Sequence, residues 1–311
     1  MPCALCGSDN SIVRIASYAG SKSGKRVKVP TVLCRRCGLL YNDPMPSSHT
    51  LMHYYAQEYP VYVHGTNGYR ALLEDFKRHE KRKGEIGLIV FDFIRLFLRD
   101  DDRVLEIGSS AGFFLRTLQE RTQCRITGVE PNKDIARIAS EYNGISDIRI
   151  DFFESFAEKN RDTFDFVAMQ HVFEHVRDPN GWLRDIRRML SKNGYIYMAL
   201  PIASDFKPSR SLEDSMEFGH VYHYTPYTLH RLLLKNGFKI VKWSFDYALS
   251  YQIIATPIEH QIDGCPSAEF KDGGDIASLE RKLKSQNRRY FLFRLKRKFR
   301  YLISRMVGWI L

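Results

Sequence analysis

Residues 103–112, RVLEIGSSAG, decide the fold of this 311-residue chain. RVLEI is a run of β-favouring residues, GSSAG forces a tight turn, and FFLRTLQER (113–121) continues at helical spacing. The pattern then repeats. CRITGVE (124–130) reads as a strand, KDIARIASEY (133–142) as a helix, and IRIDFF (148–153), FDFVAMQ (164–170) and GYIYMALP (194–201) as further strands, with a helix in PNGWLRDIRRML (179–190). Strands alternating with helices predict an α/β, Rossmann-like fold: a mostly parallel sheet with helices on both faces. After the helical TPYTLHRLLLKNGF (225–238), stopped at Gly237, FKIVKWSFDY and LSYQIIATP read as two late strands able to form a hairpin.

A turn between strand and helix brings backbone N–H groups close to a ligand, which gives Gly108 and Gly112 a physical purpose. Glu130 ends the next strand, where an acid can accept both hydroxyl hydrogens of a ribose. Asp151, at the end of the third expected strand, falls in the region that meets an adenine. The phosphate-binding G-x-G-x-x-G is absent. An acid at the end of the first strand, Glu106, suits a positively charged ligand better than a pyrophosphate.

Four of the six cysteines pair by spacing, Cys3 with Cys6 and Cys34 with Cys37, while Cys124 and Cys265 stand alone. Nothing at the start of the chain reads as a secretion signal, so disulfides are not expected and the two C-x-x-C turns predict a metal site. Four thiolates suit tetrahedral zinc and leave no position for a catalytic water, so the site is expected to be structural. Gly7 and Gly38, each following the second cysteine of its pair, sit where such turns require positive φ.

The net charge of +11 is local. Residues 281–311 carry eleven Lys and Arg and no acid, and the remaining 36 basic residues match the 36 acidic ones. Within this tail Phe291, Leu295, Phe299, Leu302 and Met306 recur at three- and four-residue steps, with basic residues beside them and Trp309, Ile310 and Leu311 at the end. A basic amphipathic helix of this kind predicts attachment to an anionic membrane surface, against the plainer reading of a helix docked on the body. No run of about eighteen apolar residues occurs. The expected location is the cytoplasm, peripheral at the inner face of the membrane.

The runs EIGSSAGFFL, GVEP, FDFVAMQHVFEHVRDP, GYIYMALP and HVYHYTPYTLHRLLLKNGF resemble the class I S-adenosylmethionine-dependent methyltransferases. Within that class the chain resembles bacterial sugar and polysaccharide-type members with an amino-terminal zinc ribbon. The resemblance covers roughly residues 3–256. It implies a zinc ribbon over 1–45, a helical lid or linker over 46–100, a cofactor-binding methyltransferase domain over 101–258, and a connection plus basic helix over 259–311. Its implied cofactors are S-adenosyl-L-methionine and Zn. Glu106, Gly108 and Gly112 would line the methionine and ribose side and Glu130 would hold the ribose. Asp151 and Phe152 would flank the adenine, and Gln170 and His171 would lie beside the sulfonium. Ser110 departs from the family, which usually has glycine there.

Methyl transfer to a hydroxyl or carbon also needs a base. His171, His175 and His220 are the candidates. In the zinc-ribbon sugar C-methyltransferases that the chain resembles, the histidine of a Y-H-E-H motif is the base. Aligned on the following T-P-Y-T-L, it falls on His220, with Gly219 in place of the preceding acid. Glu174 and His175 belong to VFEHVRDP, a run shared by members with many substrates and read first as architectural. Tyr55, Tyr59 and Tyr62 lie in the lid segment, where packing is the plainer reading. The expected acceptor is a small polar molecule, a sugar nucleotide or lipid-linked glycan. The rivals are an RNA methyltransferase and a non-catalytic zinc-ribbon scaffold. Against the first stand the neutral body and MQHVFEH where an (N/D)PP(Y/F) motif would be expected, so nucleic acid is not the expected partner.

Overall fold

The computed structural model describes residues 2–9, 12–16, 19–20, 26–203, 209–216, 219–246, 250–259 and 276–307. Its centre is a seven-stranded sheet of β1 (Arg103–Ile107), β2 (Arg125–Val129), β3 (Ile148–Arg149), β4 (Phe164–Gln170), β5 (Leu190–Leu200), β6 (Phe238–Asp246) and β7 (Ser250–Pro257), in the spatial order β6-β7-β5-β4-β1-β2-β3. β1 to β5 pair in parallel, and β7 runs antiparallel to both β5 and β6. Leu105 and Ile107 of β1 and Phe166 to Met169 of β4 are all buried. Helices therefore cover both faces, which is the condition under which parallel strands read as nearly continuous apolar runs. The predicted hairpin is β6–β7, and it joins the sheet through β7 against β5.

The third strand is shorter than its sequence suggests and stops at Arg149. Two residues later the Asp151 carboxylate accepts from the Phe152 N–H at 2.9 Å and from Ser155 Oγ at 3.0 Å. These bonds turn the chain away from the strand, and the helix Phe153–Lys159 follows with Phe152 as its N-cap. The strand order reverses between β1 and β4, so the connections leaving their carboxyl ends diverge and open a crevice there.

Residues 48–94 are helical: Ser48–His53 runs through a wider π-helical turn, Tyr54–Glu58, into Tyr59–His64, followed by Tyr69–Arg78 and Glu80–Ile94. The cysteine-bearing segment forms a small antiparallel sheet of Ile12–Ala16, Thr31–Cys34 and Leu40–Asn42. Its fourth strand comes from far along the chain: Tyr222 pairs with Tyr41 and His223 with Leu40. Gly7 and Gly38 adopt φ of 71° and 78°, as the two turns require. Cys3, Cys34, Leu39 and Tyr41 share one buried cluster with Leu105, Met169 and Phe173.

The carboxy-terminal helix, Ile276–Val307, is docked over its first three turns. Leu283 and Gln286 are buried, Glu280 pairs with Arg35 at 3.2 Å, and the Asn287 side chain accepts from the Leu212 N–H at 2.8 Å. Beyond Asn287 the side chains Phe291, Leu292, Phe293 and Leu295 are exposed. The plainer reading thus holds for the start of the tail. The stripe positions Phe299, Leu302 and Met306 lie where only backbone is described, and Trp309 to Leu311, like Cys265, lie outside the described residues. Among the described residues no helix is long and apolar enough to cross a membrane.

Candidate functional site

A cavity of about 750 Å³ occupies the crevice at the carboxyl ends of β1 and β4 and is roofed by the helices of residues 48–64. Every residue assigned to cofactor from sequence lines it except Gly112, which lies one residue beyond Ala111 of the lining. The turn after β1 folds back onto β2, with the Gly108 and Ser109 N–H groups donating to the Val129 carbonyl at 2.8 and 3.0 Å. Gly108 has φ 70°, and a Cβ there would lie 2.5 Å from the Val172 side chain, so only glycine fits. Ser110 stands at φ 48°, in the left-handed region where the resembling family carries glycine. Its N–H donates to Glu130 Oε2 at 3.0 Å, and the Asn132 N–H donates to Glu130 Oε1 at 2.9 Å. Such a serine costs about 1–2 kcal/mol, of the same order as the hydrogen bond to a carboxylate that it makes, about 1.5–3 kcal/mol.

Two buried carboxylates face the cavity. Glu106 takes one hydrogen bond, from Gln170 Nε2 at 2.8 Å, and its Oε2 has no partner among the described residues. Burial drives its pKa well above the ordinary range, against the pull of Gln170 and with a push from Glu130. Glu130 is pushed up to about 7 by burial, against the Asn132 and Ser110 N–H groups. An orphaned buried carboxylate oxygen calls for a cationic or donor group from a ligand. Glu130, fixed by two backbone N–H groups, keeps lone pairs for two hydroxyls. Asp151 is differently committed. Burial would raise its pKa, but Lys159 Nζ at 2.9 Å and Ser155 hold it below the usual range.

The other half of the site is built around Glu174. Its side chain is 1% exposed, and neither oxygen has a hydrogen-bond partner among the described residues. His171 Nδ1 stands 3.7 Å and His175 Nε2 4.0 Å from Glu174 Oε1, ion-pair distances too long for hydrogen bonds. Burial alone would raise the Glu174 pKa, but His175, His171 and His220 hold it at about 2. His171 has φ 53° at the end of β4, its N–H tied to the Ala199 carbonyl at 2.7 Å. Strain of this kind, about 1–3 kcal/mol, persists where the surroundings impose it and concentrates at functional sites. His175 Nδ1 lies 2.6 Å from the Tyr55 hydroxyl and 2.9 Å from the Gly219 carbonyl, and Tyr55 donates to that same carbonyl at 2.8 Å.

The three sequence-assigned histidines are therefore brought together, but not equivalently. His171 and His175 line the cavity, whereas His220 stands behind His175, ring centroids 4.8 Å apart, and is not part of the lining. His223 is buried behind His220. Burial first, then His220, lower its pKa to about 3, so this imidazole is neutral at any working pH. Sequence reading gave Glu174 and Tyr55 too little weight. The signal for Glu174 was present in HVFEH, where an acid three residues after one histidine and next to another turns both toward itself. Nothing in the sequence showed that Tyr55 reaches His175.

Among the described residues, two groups of side chains could hold a metal ion. Cys3, Cys6, Cys34 and Cys37 place all four sulfurs within 4.8 Å of one another, with Cys3–Cys37 at 3.5 Å and Cys6–Cys34 at 3.6 Å. Sulfurs about 2.3 Å from a tetrahedral zinc would lie about 3.8 Å apart, so the cage has the right size. The second group is Glu174, His175 and His220, again within 4.8 Å.

Comparison with known proteins agrees with this architecture. A family model described as a methyltransferase domain matches residues 78–242. The ubiquinone biosynthesis O-methyltransferase of Neisseria meningitidis serogroup A is 26% identical over 102 residues, 31% of this chain and 43% of that protein. Its counterpart in Rhizobium leguminosarum bv. trifolii is 31% identical over 100 residues, 31% of this chain and 39% of that one. The chain thus spans less than half the length of the curated relatives it matches. Among solved structures, a SAM dependent methyltransferase from Archaeoglobus fulgidus covers 58% of this chain and 98% of its own, at 20% identity and TM-score 0.48. One from Aquifex aeolicus covers 58% and 96%, at 15% identity and TM-score 0.45.

Proposed function

The chain belongs to the methyltransferase-domain family, and from that premise we propose that it uses S-adenosylmethionine to methylate a hydroxyl or carbon of a small polar acceptor, a sugar nucleotide or lipid-linked glycan. The observation that carries the reading is the pairing, in one cavity, of the orphaned Glu106 oxygen with the histidine cluster around Glu174. Bound S-adenosylmethionine supplies a methyl group on a sulfonium, open to in-line displacement. Glu106 would accept from the ammonium of its methionine part. Gly108 and Gly112 would let the turn approach closely, Glu130 would take the ribose hydroxyls, and Phe152 and Asp151 would border the adenine. Gln170 would keep Glu106 oriented.

On the acceptor side His171 faces the cavity with the Glu174 carboxylate behind its Nδ1, an arrangement that favours proton uptake on the other ring nitrogen. His175 and His220 complete the cluster, and Glu174 balances the charge it gains. The curated relatives are O-methyltransferases, which favours a hydroxyl acceptor. Supplying methyl-labelled cofactor with fractionated sugar-nucleotide and lipid-glycan pools tests this. His171→Asn is expected to cut labelling about 10²–10⁴-fold and His220→Asn, which acts from behind His175, by less, both leaving S-adenosylhomocysteine affinity unchanged. Full labelling with both variants would end the histidine reading.

We also propose one structural zinc held by Cys3, Cys6, Cys34 and Cys37, within the 1–45, 46–100 and 101–258 organisation given above. Metal analysis of protein purified without added zinc should find about one ion per chain. A value near zero in folded protein would count against it. The exposed Phe291, Leu292, Phe293 and Leu295, interspersed with Arg288, Arg289, Arg294 and Lys296, support membrane attachment at about 1 kcal/mol per basic residue near an anionic surface. Liposomes rich in anionic lipid should float the full chain and not a chain ending at Asn287. Equal flotation would remove the tail as an anchor.

A further inference from the structure

We propose that Asn42, in the cysteine-bearing sheet, is a positioning residue for His220, so that this sheet supports the acceptor end from behind the cavity wall and is not a separate binding module. The inference rests on the reading that the histidines around Glu174 take the acceptor's proton. Asn42 is buried at the end of the strand Leu40–Asn42. Its backbone N–H donates to the Val221 carbonyl at 3.0 Å, and its side-chain Nδ2 donates to the His220 carbonyl at 3.3 Å. The Thr31 hydroxyl donates to Asn42 Oδ1 at 3.2 Å. The His220 carbonyl can only accept, so it fixes the amide with Nδ2 toward itself and leaves Oδ1 facing the Thr31 hydroxyl, which steadies that orientation.

The next two residues are held by the same sheet, Tyr222 against Tyr41 and His223 against Leu40. Four consecutive residues, 220 to 223, thus take their backbone position from the amino-terminal sheet. From that backbone the His220 ring reaches His175 and comes within 4.8 Å of the Glu174 carboxylate. Removing one amide would not remove any group of the cavity. It would release the chain on which His220 is mounted, and His220 contributes to holding the Glu174 pKa down.

The test uses the full chain with ¹³C-labelled histidine, the His220 ring signal being assigned by its loss in His220→Gln. Asn42→Ala should shift or broaden that signal and speed amide exchange over residues 221–224 about fivefold to tenfold, the size of one lost hydrogen bond. Thr31→Val, which keeps the shape and removes only the bond to Asn42 Oδ1, should move both readouts in the same direction by less. It serves if Asn42→Ala does not fold. S-adenosylhomocysteine affinity should stay within about twofold in both variants, because the cofactor carboxylates lie on other strands. An unmoved His220 signal with unchanged exchange in whichever variants fold would overturn the proposal. If His220 moves as expected but His220→Asn and His171→Asn retain full methyl transfer, the proton-acceptor reading fails and the positioning by Asn42 stands.

Discussion

The two ends of the cavity are built by different means. At the cofactor end Glu106, Gly108, Ser110 and Glu130 come from one β–turn–α–β stretch, and Glu130 is held by neighbouring backbone N–H groups. At the acceptor end Tyr55, Glu174, Gly219 and His220 come from well-separated segments, and charge is balanced between side chains at ion-pair distance. The first end is preorganised by local backbone and depends on few residues. The second depends on the packing of the whole chain. Changes at the cofactor end should therefore be large and confined to binding, and changes at the acceptor end should be confined to turnover. Glu130→Ala is the strongest test, since two charge-assisted ribose bonds of about 1.5–3 kcal/mol each would weaken S-adenosylhomocysteine about 10²–10⁴-fold. Calorimetry showing unchanged affinity would mean that the nucleotide lies elsewhere and that the division between the two ends is misdrawn.

A smaller effect separates the two ends by pH. Ligand-free Glu130 titrates at about 7 because burial penalises its charge. Ribose hydroxyls donate to the ionised form, so a proton on Glu130 competes with the ligand. Affinity should then fall toward about tenfold for each pH unit below 7 and level off above it. Glu106, raised for the same reason, acts with the same sign. Glu174 lies low at about 2 and contributes no slope over this range. Glu130→Gln should flatten the Glu130 part of the profile. A flat profile in the unaltered protein would show that Glu130 is already ionised before the ligand arrives.

The same contrast explains what the sequence disclosed. The alternation of strands and helices, the turn at 108–112 and the acids ending β1 and β2 were legible because each is encoded within about thirty residues by periodicity and turn chemistry. The cysteine cage was legible because spacing alone specifies a knuckle. The early end of β3 was missed because the Asp151 side chain bonds to the Phe152 N–H and the Ser155 hydroxyl, a local competition that apolar patterning does not reveal. His220 was found through resemblance, but its place behind His175 follows from the pairing of Tyr222–His223 with Leu40–Tyr41, some 180 residues away in sequence. Contacts of that range leave no periodicity, and Tyr55 belongs with them.

The gentlest expected effect is at Tyr55. Its hydroxyl joins the roof of the cavity to the acceptor end, touching His175 Nδ1 at 2.6 Å and donating to the Gly219 carbonyl at 2.8 Å. A Cβ at residue 219 would collide with that hydroxyl, so the glycine there is matched to the tyrosine. Tyr55→Phe removes the hydroxyl and keeps the ring. His175 Nδ1 still has the Gly219 carbonyl at 2.9 Å, so no buried group is left unpaired. The loss is then that of one neutral hydrogen bond, about 1 kcal/mol, or about a fivefold fall in kcat/KM, with cofactor affinity unaltered. A loss of a hundredfold or more would place the Tyr55 hydroxyl on the reacting atoms and make the roof part of the chemistry. An equal loss in cofactor affinity and turnover would mean that the roof serves both ends of the cavity, and the separation between them would fail.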